Sequence, residues 1–336
     1  MMMYAAAVLA FSFGVGEITM KPQGAPTAFY RGTADDPKID SVLEASGVEP
    51  IGDGKFVLVA HDKHEALFVA ETATGRIVGD PITCAAFPTG LMVGPKWEGM
   101  ARDDQGNYYI IGSHSGKTDD EKAQRAHLFR FRLNLDGPTP TIDARSVTRW
   151  KCAGSLAESL GQDVSDPAER AKMKVEGLTV RRLGNRTELV VGLRDPGDRV
   201  RAFSAELTES ASPESDLTFK PLFKFDAGKL EGEPSVLTSM EYLPSWNGFL
   251  VVTATEDANN VFHGNTMWFV ADATIKAGDC RAQRIGAFEP AMKCEGLAEL
   301  PGGTADQVRM VVTFDNDPHA TKIPSRIQTV VLTRKP

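Results

Sequence analysis

The chain has 336 residues, 42% of them hydrophobic and 24% charged, a composition ordinary for a globular protein. A formal net charge of −8, with no block of basic residues, excludes nucleic acid and anionic membrane surfaces as natural partners. No apolar stretch reaches the ~18–20 residues that span a bilayer.

Met1 to Gly16 reads MMMYAAAVLAFSFGVG, an apolar segment as long as a signal-peptide core but without a charged first region. It is read as a secretory signal within an N-terminal segment 1–25, placing the protein in the periplasm or outside the cell. A mis-assigned start or an apolar tail on a cytoplasmic protein is the alternative. Residues 26–336 form one domain, beginning with PTAFYRGTA (Pro26 to Ala34), which has strand character.

One phrase then recurs five times at a period of roughly 50 residues. It runs from Ser46-Gly47-Val48 to FVLVAHDK, from Glu98-Gly99-Met100 to YYIIGSHS, and from Glu176-Gly177-Leu178 to ELVVGLRDP. The fourth copy runs from Met240-Glu241-Tyr242-Leu243 to FLVVTATED, and the fifth from Glu295-Gly296-Leu297 to RMVVTFDND. Each is a hairpin: a small opener, a polar turn, and an apolar run closing on charged residues. A third alternating segment follows every copy (ALFVAET, HLFRFRLNL, RVRAFSAEL, TMWFVAD, IQTVVLT). A fourth follows the first four copies (DPITCAAF, RSVTRWKC, TFKPLFKFD, CRAQRIGAF). Such alternation is that of half-buried strands, and four antiparallel strands per unit make the blade of a β-propeller.

The fifth unit ends after three strands, so the N-terminal strand supplies its fourth and closes the ring. The expected fold is all-β, a propeller of five blades; six blades with one degenerate is the alternative. Between the second and third units lies GSLAESLGQDVSDPAERAKMK, where Asp166 as N-cap and Pro167 at the first helical position predict a helical insertion over about 155–173. The four cysteines, Cys84, Cys152, Cys280 and Cys294, permit two disulfides, with Cys280–Cys294 the favoured pair; four isolated thiols are the alternative.

Opener and closer are 16 residues apart from Ser46 to Asp62, Glu98 to His114 and Glu241 to Asp257, and 19 to 22 in the other two units. Two short strands and a turn fit that length, so openers and closers ring one mouth of the central channel. The longer, more polar loops leave from the same end, and the insertion is placed to cover it as a lid. Glu98, Glu176, Glu241 and Glu295 would repel one another on the axis unless a hard cation, Ca²⁺ first, bound them. Equally, each could accept backbone hydrogen bonds, with the adjacent glycine permitting close approach.

The closers differ between blades: His61-Asp62, His114, Arg194-Asp195, Glu256-Asp257 and Asp315-Asn316-Asp317. Divergence at equivalent positions suits an asymmetric ligand, although solvated loop ends are the plainer reading. His114, Arg194 and Asp195 are the candidate catalytic groups. His61, Asp62, Lys63, Glu256, Asp257, Asp315 and Asp317 are candidate ligand contacts, with Arg194 and Lys63 suited to a phosphate or carboxylate. His64, His127, His263 and His319 lie nearby in sequence without a role of their own.

KWEGM…YYIIGSHS and KVEGL…LVVGLRDP resemble an uncharacterised bacterial propeller family, a domain of unknown function, over nearly the whole chain from about Asp40. The repeated EGL more distantly resembles esterase-like phytases, secreted propellers linked to metal-dependent phosphoester cleavage. That likeness implies a metal-assisted hydrolase, in which a cation activates water and Arg194 with His114 holds or protonates an ester. A propeller that binds a small polar or anionic ligand, or a protein, without chemistry is the alternative. No GxSxG nucleophile motif and no nucleotide or organic-cofactor signature is present, and a monomer is expected.

Overall fold

The computed structural model describes residues 16–41, 43–61, 66–83, 96–137, 139–207, 217–257, 259, 261–275, 278–317 and 321–335. The Met1–Gly16 segment, except its last residue, and Asp62, Lys63, His64, Cys84 and His319 lie outside them.

Among the described residues the chain forms a five-bladed β-propeller of four-stranded antiparallel sheets. Blade 1 comprises Ala45–Ile51, Phe56–His61, Leu67–Glu71 and Ile77–Ile82. Blade 2 comprises Trp97–Arg102, Tyr108–Gly112, His127–Asn134 and Thr141–Lys151. Blade 3 comprises Lys174–Leu183, Arg186–Asp195, Val200–Leu207 and Lys220–Phe225, to which the short Gly278–Asp279 adds in parallel. Blade 4 comprises Val236–Leu243, Gly248–Glu256, Phe262–Ala271 and Ala282–Gly286. Blade 5 comprises Cys294–Leu300, Gln307–Phe314 and Arg326–Arg334, completed by the N-terminal strand Ile18–Ala28.

The apolar runs are buried on both faces because every sheet packs against two others. Five core clusters correspond to the five blade interfaces. Leu243, Trp246 and Phe269 of blade 4 pack on Met310 and Phe314 of blade 5, while Val190 and Phe223 of blade 3 pack on Met240 and Phe249 of blade 4. The first strand of each blade touches the first strands of both neighbours, so these five strands line the axis. Glycine in the opener permits this approach. A Cβ on Gly99 would lie 3.0 Å from the Leu178 amide nitrogen, and one on Gly177 would lie 2.8 Å from Met240 Cγ.

The two termini close the ring, with Ile18 opposite Arg334 and Ala28 opposite Arg326. The closing strand starts earlier than Pro26–Ala34: only Pro26, Thr27 and Ala28 belong to it, and Tyr30–Gly32 pairs instead with Pro37–Ile39. Pro22 and Pro26 disguise the strand in the sequence, yet an outermost strand tolerates proline because one edge needs no ladder bonds.

The insertion contains two helices, α2 (Ala153–Gly161) and α3 (Pro167–Arg170), and a further helix, α1 (Asp119–Gln124), lies in the loop of blade 2. Asp166 caps α3 as expected, its side chain accepting from Ala168 N at 2.8 Å. α2 is no loose cover. Leu156 and Leu160 are fully buried in the core shared by blades 2 and 3, and Ser159 Oγ donates to the Phe219 carbonyl at 2.6 Å. No helix of the described residues is long and apolar enough to cross a membrane. Cys280 and Cys294 are not joined by a disulfide: Cys294 Sγ faces the Gly296 carbonyl and Cys280 Sγ the Lys224 carbonyl.

Candidate functional site

Strand register defines the opener position. In every first strand the pairing slips by one residue, at Ser46, Glu98, Glu176, Thr238 and Glu295. A bulge re-aims the side chain it carries, here at the same level in each blade. The fourth opener is thus Thr238, whose hydroxyl donates to the Cys294 carbonyl at 2.6 Å. Glu241 stands three residues further along the strand, opposite Leu250, and does not join the other three. The apolar-Glu-apolar phrase around Glu241 mimics the opener without its bulge.

Glu98, Glu176 and Glu295 do converge. They are buried, and one carboxylate oxygen of each lies within 4.8 Å of the others. Two residues before each stands a lysine, so the full phrase is Lys-x-Glu-Gly: Lys96, Lys174 and Lys293. Lys96 Nζ lies 3.2 Å from Glu98 Oε1, and Lys174 Nζ bridges Glu98 Oε1 at 3.5 Å and Glu176 Oε1. Lys293 Nζ is 2.8 Å from both Glu295 Oε1 and Glu256 Oε1. Arg194 completes the network, with Nη1 at 3.3 Å from Glu176 Oε1 and Nη2 on Glu256 Oε2. Four carboxylates thus meet four basic groups. The lysine period is visible in the sequence, and the sequence reading assigned those lysines no role.

Burial opposes the charge of Glu176, but Lys174 and Arg194 hold its carboxyl down at about 2. Glu295 goes the other way. Burial, opposed by Lys293 but reinforced by Glu176 and Glu98, pushes it up to about 7. Arg194 and Lys293 are raised: burial works against them and the surrounding glutamates prevail.

Beside this network, between blades 3 and 4, opens a cavity of ≈ 710 Å³. Arg194, Asp195, Glu256 and Asp257 line it, joined by Glu169 and Lys172 from the end of the insertion. The insertion and Arg194 therefore share one face. Burial raises the Asp195 carboxyl despite Arg194 and Lys174, whereas Lys293 and Arg194 overcome burial to keep Glu256 low. Asp257 accepts from the Asn259 and Val261 amides at 2.8 and 2.9 Å, and His263 Nε2 lies 3.5 Å from it.

The remaining closers are elsewhere. His114 is buried in blade 2 with a positive φ of 58°, and its Nδ1 is 2.9 Å from the Gly112 carbonyl. Burial lowers His114 to about 4, and it does not line the cavity. His61 is buried against Phe68, with ring centroids 5.9 Å apart. Asp315 and Asp317 form a separate group with Glu44, ligand oxygens within 4.8 Å. Burial first, and then Glu295, raise Asp315 well above the carboxylate range.

The fold and this axial network are those of a five-bladed propeller with a charged channel. No protein-family model matches the chain, and no curated protein matches it in sequence. Among solved structures it is similar to a levansucrase variant of B. megaterium at 8% identity and a TM-score of 0.50, covering 92% of this chain and 90% of that one. An α-L-arabinofuranosidase from Lactobacillus brevis is 12% identical with a TM-score of 0.47, covering 86% and 91%. The Dos1 propeller is 12% identical with a TM-score of 0.36, covering 86% of this chain and 59% of that one. These likenesses are of fold alone.

Proposed function

We propose that the protein is a hydrolase of a small polar ester, acting in the cavity between blades 3 and 4. One observation carries this reading: Asp195 and Glu256 line the same cavity with carboxyls displaced in opposite directions, and Arg194 stands beside both. Two carboxyls pushed apart in this way divide acid and base duties. Glu256, ionised, takes the proton from the attacking water. Asp195, holding its proton longer, delivers one to the leaving oxygen. Arg194, fixed by Glu176 and Glu256, stabilises charge developing on the carbonyl or phosphoryl oxygen. The apolar Met1–Gly16 segment supports an exported enzyme.

Calcium fits the Glu98–Glu176–Glu295 group poorly, because Lys96, Lys174, Lys293 and Arg194 already supply its positive charge. We place a Ca²⁺ requirement, where there is one, at Glu44, Asp315 and Asp317, whose mutual repulsion a hard cation would relieve.

A panel of carboxylic esters, lactones and phosphoesters, with and without chelator, tests both statements. Turnover that Glu256→Gln and Asp195→Asn each lower by about 100-fold supports the acid–base pair. Turnover that chelator abolishes and CaCl₂ restores, but not in Asp315→Asn, supports the cation. No turnover on any member, with saturable binding of one of them, would leave a binding propeller.

A further inference from the structure

The other level of the channel carries a second acidic group. Glu49, Glu241 and Glu299 belong to the first strands of blades 1, 4 and 5 and line a cavity of ≈ 600 Å³ away from the Arg194 face. The volume is that of a small-molecule site. Several charges around it are already committed. Arg182 Nη1 grips Asp104 at 3.0 and 2.8 Å. Asp103 accepts from the Asn107 amide at 2.8 Å, from Asn107 Nδ2 at 2.7 Å and from the Tyr109 hydroxyl at 2.9 Å. That leaves three glutamates facing one arginine, Arg102, which lies over the Tyr108 ring at 5.6 Å.

Glu241 is partly satisfied, by Thr179 Oγ1 at 3.0 Å and the Glu299 amide at 3.4 Å. Glu49 is not. The residue is buried, at 2% exposure, and its Oε1 has no hydrogen-bond partner. A buried acceptor without a donor costs about 1–3 kcal/mol, so a natural sequence keeping one in a cavity wall points to a donor that arrives with a ligand.

We propose that this cavity binds a small organic cation, a protonated primary amine, between Glu49 and Glu241. An ammonium offers three N–H donors, enough for Glu49 Oε1 and for a carboxylate oxygen of Glu241. A bare metal suits the place less, because these glutamates are not among the groups whose oxygens approach within 4.8 Å. Burial and the charge of Glu241 keep the Glu49 carboxyl well above its ordinary range despite Arg102. Burial likewise pushes Glu241 up to about 8, against the donors Thr179 and the Glu299 amide and with the Glu299 charge. Burial thus favours the protonated form of both carboxyls and a bound ammonium favours the ionised form, so binding is accompanied by proton release.

Calorimetric titration of the whole protein with putrescine, at pH 7 in two buffers of different ionisation enthalpy, tests this. The expected result is saturable one-to-one binding with proton release, weakened at least tenfold in Glu49→Gln and in Glu241→Gln. Absence of putrescine binding in the wild type overturns the proposal, as does binding without proton release. CaCl₂ binding in place of the amine, or equal affinity in both folded variants, overturns it as well. The wild-type proton release decides the matter even where a variant fails to fold.

Discussion

The same five strands carry carboxylates at two levels of one channel, and the two levels solve the cost of burial differently. At the bulge level, Glu98, Glu176 and Glu295 each have a lysine two residues upstream in the chain, and Glu176 stays ionised down to about 2. Three residues further along, Glu241 has the Thr179 hydroxyl and backbone amides for company but no lysine, and burial raises it to about 8. Burial is common to both, so the balance of neighbouring charges decides: Glu295, with Lys293 on one side but Glu176 and Glu98 on the other, still rises to about 7. A buried charge needs its partner within reach, and a lysine two residues away in the chain supplies it locally.

Removing a lysine should break this contrast with the largest effect. Lys174 serves both Glu98 and Glu176 and is only 18% exposed at its side chain. Lys174→Met leaves an uncompensated buried charge, and a loss of about 3–5 kcal/mol is expected in urea unfolding at pH 7. A loss below about 1 kcal/mol would mean that Lys96 and Arg194 suffice, and the lysine period would be ornamental.

Stability against pH should separate the two levels by sign. Glu176 titrates at about 2 in the folded protein against an ordinary 4.5, so its contribution is present above pH 4.5 and is lost as pH falls towards 2. Glu241 is the reverse, with a folded value of about 8 against 4.5. Its contribution is present below pH 4.5 and is lost as pH rises through 8. Glu241→Gln should therefore unfold at a higher temperature than the wild type at pH 9, and the advantage should vanish near pH 5. A variant less stable than the wild type at pH 9 would place the Glu241 carboxylate in a setting that welcomes its charge.

A smaller effect is expected where the two levels meet the packing of neighbouring blades. In Gly99→Ala the new methyl would press on the Leu178 amide nitrogen at 3.0 Å, which cannot rotate away as a side chain can. A cost of about 1–3 kcal/mol is expected from such overpacking. In Gly177→Ala the nearest atom is the flexible Met240 Cγ at 2.8 Å, and the loss should be smaller. Equal losses would show that the inner strands shift as a unit.

The ring was legible because a period of about 50 residues and strict alternation report local geometry directly. The closing strand was misplaced because Pro22 and Pro26 speak against a strand until its outermost position is known. Glu241 was misassigned because a bulge adds one residue without changing the letters around it: Thr238, not Glu241, takes the opener's place. His114 and Arg194 look alike as closers in sequence. Only the fold shows that the first turns into its own blade while the second reaches across to Glu256 of the next. Lys96, Lys174 and Lys293 were there to be read, as the only basic residues repeated at a fixed offset from the opener in three blades.

The smallest expected effect concerns the segment beside the cavity. α2 is built into the core through Leu156 and Leu160, so deleting the whole insertion should cost stability rather than simply uncover the mouth. The part that faces the cavity is Glu169 and Lys172, which pair with each other at 2.7 Å and are largely exposed. An exposed pair three residues apart is screened by solvent and contributes little, so Glu169→Ala with Lys172→Ala should leave thermal unfolding nearly unchanged. Under the proposed hydrolase reading the expected change is in binding: a KM raised about two- to fivefold at constant kcat, the mark of contacts made equally to ground and transition states. A fall in kcat instead would bring this segment into the chemistry itself. An unaltered KM would confine the substrate to the inner wall formed by Arg194, Asp195 and Glu256, and the insertion would then serve only the core of blades 2 and 3.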